Sequence, residues 1–413
     1  MKFLFDDESF DFEALRSAGF ARHGGAELGE VLATAHRIAD GDEAAWLREW
    51  RATAERVHAI GSDCLAKGHR MSAREALLRA SNYYRTAEFY LRDDPAADPV
   101  ARELSRRSRE TFAQAAELLE TPVRRVSIPF GDTGLPGYLF LVDDSGEPRP
   151  TVIFNSGFDS TLEESWFVLA AAAVARGYHV LAFDGPGQGQ VIREQGLPFR
   201  HDWEAVITPV VDFARTVPAI DPDRIVLYGY SLGGYLVARA AAFEHRIAAL
   251  VLNDGLFDYH GSNVRMMPPF LTEWIESNQD AEALAVAGLM MAYDTTVRWA
   301  LRNGTWTFGA DSAADYIRKT EPYTLAGIAH QIECPTLVLD AENDLFFRGE
   351  PKRVYQALTC PKELIVGTAA EGAGEHCHMG ATTLTNQRIF DWLDTTFAAY
   401  RQRDRQMPET SAS

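Results

Sequence analysis

Residues 224–234 read Arg224-Ile-Val-Leu-Tyr-Gly-Tyr-Ser-Leu-Gly-Gly234, and this stretch decides the fold. The apolar run up to Gly229 predicts a short strand, and residues 232–242 predict a helix. Between them lies Gly229-Tyr-Ser-Leu-Gly233, a G-x-S-x-G pentapeptide. A serine hydroxyl is a weak nucleophile unless the backbone exposes it and a base takes its proton. A sharp strand-to-helix turn exposes it, small residues at 229 and 233 let the chain bend, and the helix N-terminus favours nearby negative charge. The pentapeptide alone is a weak signal; the flanking strand and helix make it a strong one.

The same rhythm extends on both sides. Residues 151–155, 178–183 and 247–253 are short apolar runs, and residues 162–176, 203–216 and 232–243 carry helical spacing. Such alternation implies an α/β core with a mostly parallel sheet and helices on both faces. Upstream, 123–130 and 136–142 read as a hairpin around Gly131-Asp-Thr-Gly134. After Asp254 the rhythm stops, and residues 256–325 are mostly helical and rich in Met, Trp and Tyr. It resumes with strands at 335–340 and 362–366, a helix at 350–358 and a last helix at 383–400. An interruption between sheet strands reads as a lid over the C-terminal sheet edge, where ligands bind in open α/β sheets.

The N-terminal part is different. Residues 27–39, 43–67, 72–91 and 99–119 each show helical apolar spacing, with no strand pattern, and Ser72-Ala-Arg-Glu75 reads as a capping box that starts the third helix. The expected organisation is a helical cap domain at 1–121, core at 122–255, lid insertion at 256–328, core again at 329–403 and a disordered polar tail at 404–413.

The chain has 413 residues, 46% apolar and 24% charged, with net charge −19 from 59 acids and 40 bases. An acidic surface repels phosphate backbones and anionic lipid, so nucleic-acid and membrane partners are not expected. Met1-Lys-Phe-Leu-Phe5 runs straight into acids, without the basic and apolar regions of a signal peptide, and no apolar run is long enough to span a bilayer. Cys64, Cys334, Cys360 and Cys377 are scattered and form no C-x-x-C pair, so a cytoplasmic protein with free thiols is expected.

A serine nucleophile needs a base, and the base needs a carboxylate to orient it, on loops after later strands in the order Ser, acid, His. Ala341-Glu-Asn-Asp344 follows one such strand, and Gly372-Ala-Gly-Glu-His376-Cys-His378 follows the next. Ser231 is therefore assigned as nucleophile, Asp344 as orienting acid and His376 as base. His378 is the alternative base: two residues apart on an extended loop, the imidazoles point opposite ways and only one faces Ser231. Glu342 and Asp340 lie near the acid, and Asp340 reads as structural. Asp254 and Asp258 follow the 247–253 strand, which gives a further acid position, but both read better as substrate-facing residues or lid caps. The oxyanion hole needs two backbone N–H groups. Leu232 is one, and Phe158 in Asn155-Ser-Gly-Phe158 is the other, although a plain turn also fits that loop. Tyr230 and Tyr83 complete the candidate substrate-binding residues.

Other motifs carry less. Asp184-Gly-Pro-Gly-Gln-Gly189 lacks the lysine of a phosphate loop and the spacing of a dinucleotide fingerprint, so it reads as a tight turn packed beneath the nucleophile loop. Cys377 reads as a packing residue. His23, His36, His58 and His69 have no ligand spacing, so no metal is expected. Aromatics at 83, 84, 89 and 90 and at 299, 306 and 316 read chiefly as core, with pocket lining as the alternative. No metal or organic cofactor is required.

With these positions in place the sequence resembles the FrsA-like branch of the α/β-hydrolase superfamily, which includes fungal polyketide-shortening hydrolases of pigment biosynthesis and bacterial 2,6-dihydroxypseudooxynicotine hydrolase. The resembling pieces are residues 72–91, 157–161, 184–189, 229–235 with 239–243, 342–344 and 372–380. In that family the base sits in a Gly-Ala-x-x-His-Cys context, which corresponds to His376; a polar residue such as glutamine usually stands where this chain has His378. The resemblance implies a helical domain capping a hydrolase core, with a small-molecule substrate between them. It implies cleavage of a carbon–carbon bond beside a ketone or of an ester, with elimination of an acyloxy group as the alternative, in secondary metabolism. A homodimer through the N-terminal helices is compatible with the sequence, and no single motif demands it.

Overall fold

The computed structural model describes the backbone of residues 1–406 and the side chains of residues 1–399, so most of the tail expected at 404–413 lies outside the described residues. Strand alternation sorts the core into two layers. In β5 (Ile220–Tyr230), Ile225 and Leu227 join one buried apolar layer, while Val226, Tyr228 and Tyr230 join the other. A strand buried on both faces belongs in the middle of a parallel sheet. The neighbours supply that sheet: β1 (Val123–Phe130), β2 (Thr133–Phe140), β3 (Arg149–Asn155), β4 (His179–Phe183), β6 (Ala249–Asn253), β7 (Thr336–Ala341) and β8 (Lys362–Gly367). Among the described residues they form one eight-stranded sheet in the order β1-β2-β4-β3-β5-β6-β7-β8. Pairing is antiparallel from β1 to β2 and from β2 to β4, and parallel elsewhere.

One face packs on helices Glu204–Thr216 and Gly233–Ala241 through Val206, Val210, Leu236 and Val237. The other packs on the segment 166–174 and on helix Thr382–Gln406 through Phe167, Phe390 and Leu393. The hairpin is tighter than expected. Phe130 pairs with Thr133, so β2 starts three residues before position 136. Gly131, at φ 53°, supplies the turn conformation that other residues resist.

Five α-helices precede the sheet: α1 (Glu8–Gly19), α2 (Leu28–Ala35), α3 (Glu43–Ala66), α4 (Arg70–Glu88) and α5 (Pro99–Ala116). They share a core of Phe10, Trp46, Trp50, Tyr83, Tyr84 and Leu104. Fully burying one such aromatic side chain contributes about 1.5–3 kcal/mol. Asp7, Asp42 and Asp98 cap α1, α3 and α5 through side-chain oxygens. The expected capping box at Ser72 and Glu75 does not form. Helix α4 already begins at Arg70, because Gly68 at φ 77° turns the chain directly out of α3 and leaves His69 as an N-cap without a side-chain bond.

Between β6 and β7 run helices Tyr259–Arg265, Pro269–Glu276, Asp280–Tyr293, Thr295–Thr307 and Ala313–Lys319. This segment is tied to the N-terminal helices: Trp299 stacks on Phe89 with ring centroids 4.6 Å apart, and its Nε1 donates to the Phe89 carbonyl at 3.0 Å. The same helices are tied to the sheet by a buried charge cluster. Arg16 of α1 reaches Asp159 at 2.6 Å and Glu164 at 2.8 Å, and Arg85 of α4 reaches Asp159 at 2.8 Å. No helix among the described residues is long and apolar enough to cross a membrane.

Candidate active site

Strand β5 ends at Tyr230 and the next helix begins at Gly233, so the chain must reverse within two residues. Ser231 takes the strain, with φ 59°, in a region that L side chains rarely adopt. The turn closes only around glycine: a Cβ at Gly229 would stand 2.3 Å from the Gly233 carbonyl oxygen. The Ser231 N–H donates to the Asn253 carbonyl at 2.6 Å, which pins the turn to the end of β6.

The serine hydroxyl lies 2.8 Å from His376 Nε2. The other ring nitrogen, Nδ1, donates to Asp344 Oδ2 at 2.9 Å. Asp344 follows β7, and its second oxygen accepts the N–H groups of Phe346 and Phe347 at 2.7 and 3.1 Å. Side chains from three separate loops, spread over 145 residues of chain, thus form one chain of hydrogen bonds at the C-terminal edge of the sheet. The rings of Phe346 and Phe347 pack edge-on against His376, at 5.0 and 5.2 Å, and leave the imidazole little freedom.

A second carboxylate reaches the same nitrogen. Asp254 Oδ2 lies 3.0 Å from His376 Nδ1 and accepts the Cys377 N–H at 3.0 Å. Asp254 was expected to face substrate; it is instead fully buried behind the imidazole, because the turn after β6 folds under the loop after β8. Burial and the neighbouring Asp344 charge push the Asp254 carboxyl up to about 7. Burial would raise Asp344 as well, but the His376 charge and four hydrogen-bonding groups outweigh it and hold Asp344 well below the usual carboxylate range. The negative charge of the pair therefore rests on Asp344, and Asp254 is the carboxyl that holds a proton more readily. Burial pulls the His376 pKa down, yet the Asp344 charge dominates the attractive side and the net shift is well upward. An imidazole so placed accepts a proton readily and holds it.

His378 faces away. Its Nε2 donates to the Asp340 carbonyl at 2.9 Å, and burial lowers its pKa. The loop is not extended as expected. Cys377 and His378 have φ 54° and 56°, and the resulting tight turn still sends the two imidazoles apart. Cys377 is buried, its thiol donates to the Asn253 carbonyl at 3.4 Å, and burial pushes its pKa up to about 12. Cys377, His376 and Asp254 bring possible metal-binding atoms within 4.8 Å of one another. A protonated thiol is a poor ligand, and the other two are engaged with each other, so the donor set does not suit a cation.

The loop after β3 presses on the Ser231 turn. A Cβ at Gly157 would lie 2.8 Å from Ser231 Cβ and 3.1 Å from the Leu232 nitrogen. The Phe158 and Leu232 N–H groups make no hydrogen bond to protein among the described residues. Both donors are therefore free, on two loops that meet at Ser231.

Above them is a cavity of about 190 Å³. Ser231, His376, Phe158 and Tyr230 form its floor, Phe12, Glu13 and Arg16 come from α1, and Trp299, Tyr316 and several methionines come from the lid. Phe89 also lines it. Tyr83 does not: it is fully buried in the helical core, where its hydroxyl donates to Glu30 at 2.9 Å. Asp258 is not on the cavity wall either. Its carboxylate caps helix Tyr259–Arg265 by accepting the Gly261 N–H at 2.9 Å. Missed in the sequence were α1 as a cavity wall and Asp254 as a partner of His376. The second was legible in part, since β6 is the direct neighbour of β5 and its following loop must pass Ser231.

A strained serine after a central strand, an imidazole on its hydroxyl and a lid over the sheet edge define a class of fold and site. The chain belongs to the alpha/beta hydrolase family, whose signature matches residues 152–385. Within it, the signature of the family described as Esterase FrsA-like matches residues 35–263, spanning helical region and Ser231 turn together. The chain is similar to 20-hydroxy-prefusarin hydrolase FUS2 of Gibberella moniliformis (strain M3125 / FGSC 7600), 37% identical over 415 residues that cover 96% of this chain and 99% of the relative. It is similar to hydrolyase poxO of Penicillium oxalicum, 35% identical, covering 95% of this chain and 98% of that one. The fold is similar to the crystal structure of 2,6-dihydroxy-pseudo-oxynicotine hydrolase, with a TM-score of 0.71, 23% identity and coverage of 91% and 94%.

Proposed function

We propose that this enzyme is a serine hydrolase acting on an apolar small molecule, an acyl ester or a β-dicarbonyl compound, in secondary metabolism. The observation that carries the reading is the unbroken contact from Ser231 Oγ to His376 to Asp344, at 2.8 and 2.9 Å, on the floor of a largely apolar cavity. His376 takes the Ser231 proton as Oγ attacks the carbonyl carbon. The carbonyl electrons move to oxygen, which the Phe158 and Leu232 N–H groups receive. As the intermediate collapses, His376 gives the proton to the leaving group. An alkoxide leaving group makes the reaction ester hydrolysis; a carbanion stabilised by a neighbouring ketone makes it carbon–carbon cleavage. Water, activated by the same imidazole, then releases the acid.

A second reading is elimination of a carboxylate without an acyl-enzyme, in which His376 removes a substrate proton; the similarity to a protein named a hydrolyase supports elimination as a reaction type and says nothing of carboxylate as the leaving group. Turnover in oxygen-18 water separates the two. Label in the acid product is expected for hydrolysis, and an unlabelled acid would replace that reading with elimination.

A further inference from the structure

A peptide N–H points where its carbonyl does not. In a trans peptide the two groups lie on opposite sides, so whatever holds the carbonyl aims the N–H. The Phe158 N–H belongs to the peptide whose oxygen is the Gly157 carbonyl. That oxygen accepts from Gln188 Nε2 at 3.2 Å, on the inner side of the loop. The same Nε2 donates to the Ser156 carbonyl at 2.6 Å, and Gln188 Oε1 accepts the Gly185 N–H at 2.9 Å. The next peptide is held from the other side: the Phe158 carbonyl accepts from Asn303 Nδ2 at 3.2 Å. Asn303 Oδ1 in turn accepts Arg92 Nε at 3.0 Å. Gln188 and Asn303 are each about 1% exposed, and each has its amide oxygen occupied, so neither can flip.

We infer that Gln188 and Asn303 are positioning residues, which grip the carbonyls on either side of Phe158 and so aim its N–H at the oxyanion. This deepens, and rests on, the serine-hydrolase reading. The three arms come from different parts of the chain. Gln188 lies in the turn after β4, Asn303 on the lid and Arg92 just beyond α4. The helical region and the lid are therefore working parts of the oxyanion site as well as a roof over it. Asp159, the next residue along, is held by Arg16 and Arg85, which fixes the far end of the same loop.

The test uses replacements that keep shape and remove the donor. Asn303→Asp keeps an acceptor for Arg92 and loses the donor to Phe158; Gln188→Glu keeps an acceptor for Gly185 and loses the donor to Gly157. Turnover is measured with para-nitrophenyl butyrate, and transition-state complementarity by inhibition with 1,1,1-trifluoro-2-octanone. In that adduct the Ser231 Oγ–carbon bond forms, the ketone oxygen takes the electron pair and His376 holds the proton. Complete removal of one oxyanion donor costs about 10²–10³ in kcat. Misaiming it is expected to lower kcat about 10- to 100-fold, to weaken the trifluoroketone by a similar factor, and to leave KM within about threefold. Asn303→Ala, with Arg92 intact, serves if either isostere misfolds, and circular dichroism checks the fold. Folded variants with wild-type kcat and wild-type trifluoroketone affinity would overturn the positioning proposal alone. A Ser231→Ala enzyme as active as the wild type would overturn the hydrolase reading beneath it.

Discussion

Two carboxylates on one imidazole nitrogen make removal of the acid less damaging than it is elsewhere. In serine hydrolases with a single acid, its loss lowers kcat about 10⁴-fold, or roughly 5.5 kcal/mol, because the imidazole adopts the wrong tautomer. Here Asp344→Asn leaves Asp254 Oδ2 still 3.0 Å from His376 Nδ1. It also removes the charge that, after burial, does most to hold Asp254 near 7, so Asp254 ionises more readily and takes the Nδ1 proton bond. The expected loss is about 30- to 300-fold, or roughly 2–3.5 kcal/mol. Asp254→Asn should cost about tenfold, since Asp344 keeps the imidazole and its two backbone donors. The double variant should fall to the 10⁴-fold floor, which makes the two losses more than additive by about 1–2 kcal/mol. The assay is kcat on one ester from pH 5 to 9. The His376 pKa lies above its ordinary value of 6.5, so activity should rise with pH through a midpoint above 6.5. In the double variant the charge that most opposes burial is gone, and that midpoint should move to lower pH. If Asp344→Asn alone reached the double-variant floor, Asp254 would not share the imidazole and the reasoning would fail.

The two histidines should separate cleanly. His376→Ala is expected to lower kcat by about 10³–10⁶, whereas His378→Ala, which removes a bond to the Asp340 carbonyl, should act mainly on stability; denaturation curves and kcat for both variants check this. Asp184 gives a pH-dependent stability effect. Burial and the nearby Glu163 charge raise its pKa from 3.8 to about 7, so its share of stability is present below about 4 and is lost as pH rises through 7. Asp184→Asn should therefore stabilise by roughly 2–4 kcal/mol at pH 8 and be nearly neutral at pH 4. Urea denaturation at the two pH values measures it, and an equal shift at both would contradict the assignment.

What the sequence reveals follows from how local each signal is. Each strand, each helix and the glycine-framed serine is a short-range pattern, recognisable from a dozen residues, and the lid interruption shows as a break in their succession. Asp344 and His376 were reachable because chain order and strand order coincide across β6, β7 and β8. Helix α1 carried no motif, although Asp7 caps it and Phe10, Ala14 and Leu15 give its buried stripe. Ser72 and Glu75 carry a correct cap pattern that the preceding Gly68 turn overrides. Gln188, Asn303 and the Arg16 cluster depend on contacts between segments far apart, which no spacing encodes. Tyr83 shows the opposite error: an aromatic on a helix near a site is more often core, and here it is.

The proposed reaction depends on Ser231 as nucleophile and His376 as its base. Mass spectrometry of the protein after treatment with diisopropyl fluorophosphate tests it most directly. A single adduct is expected on the peptide bearing Ser231, absent in Ser231→Ala and formed far more slowly in His376→Ala. An adduct on another residue, or undiminished labelling of Ser231→Ala, would contradict it.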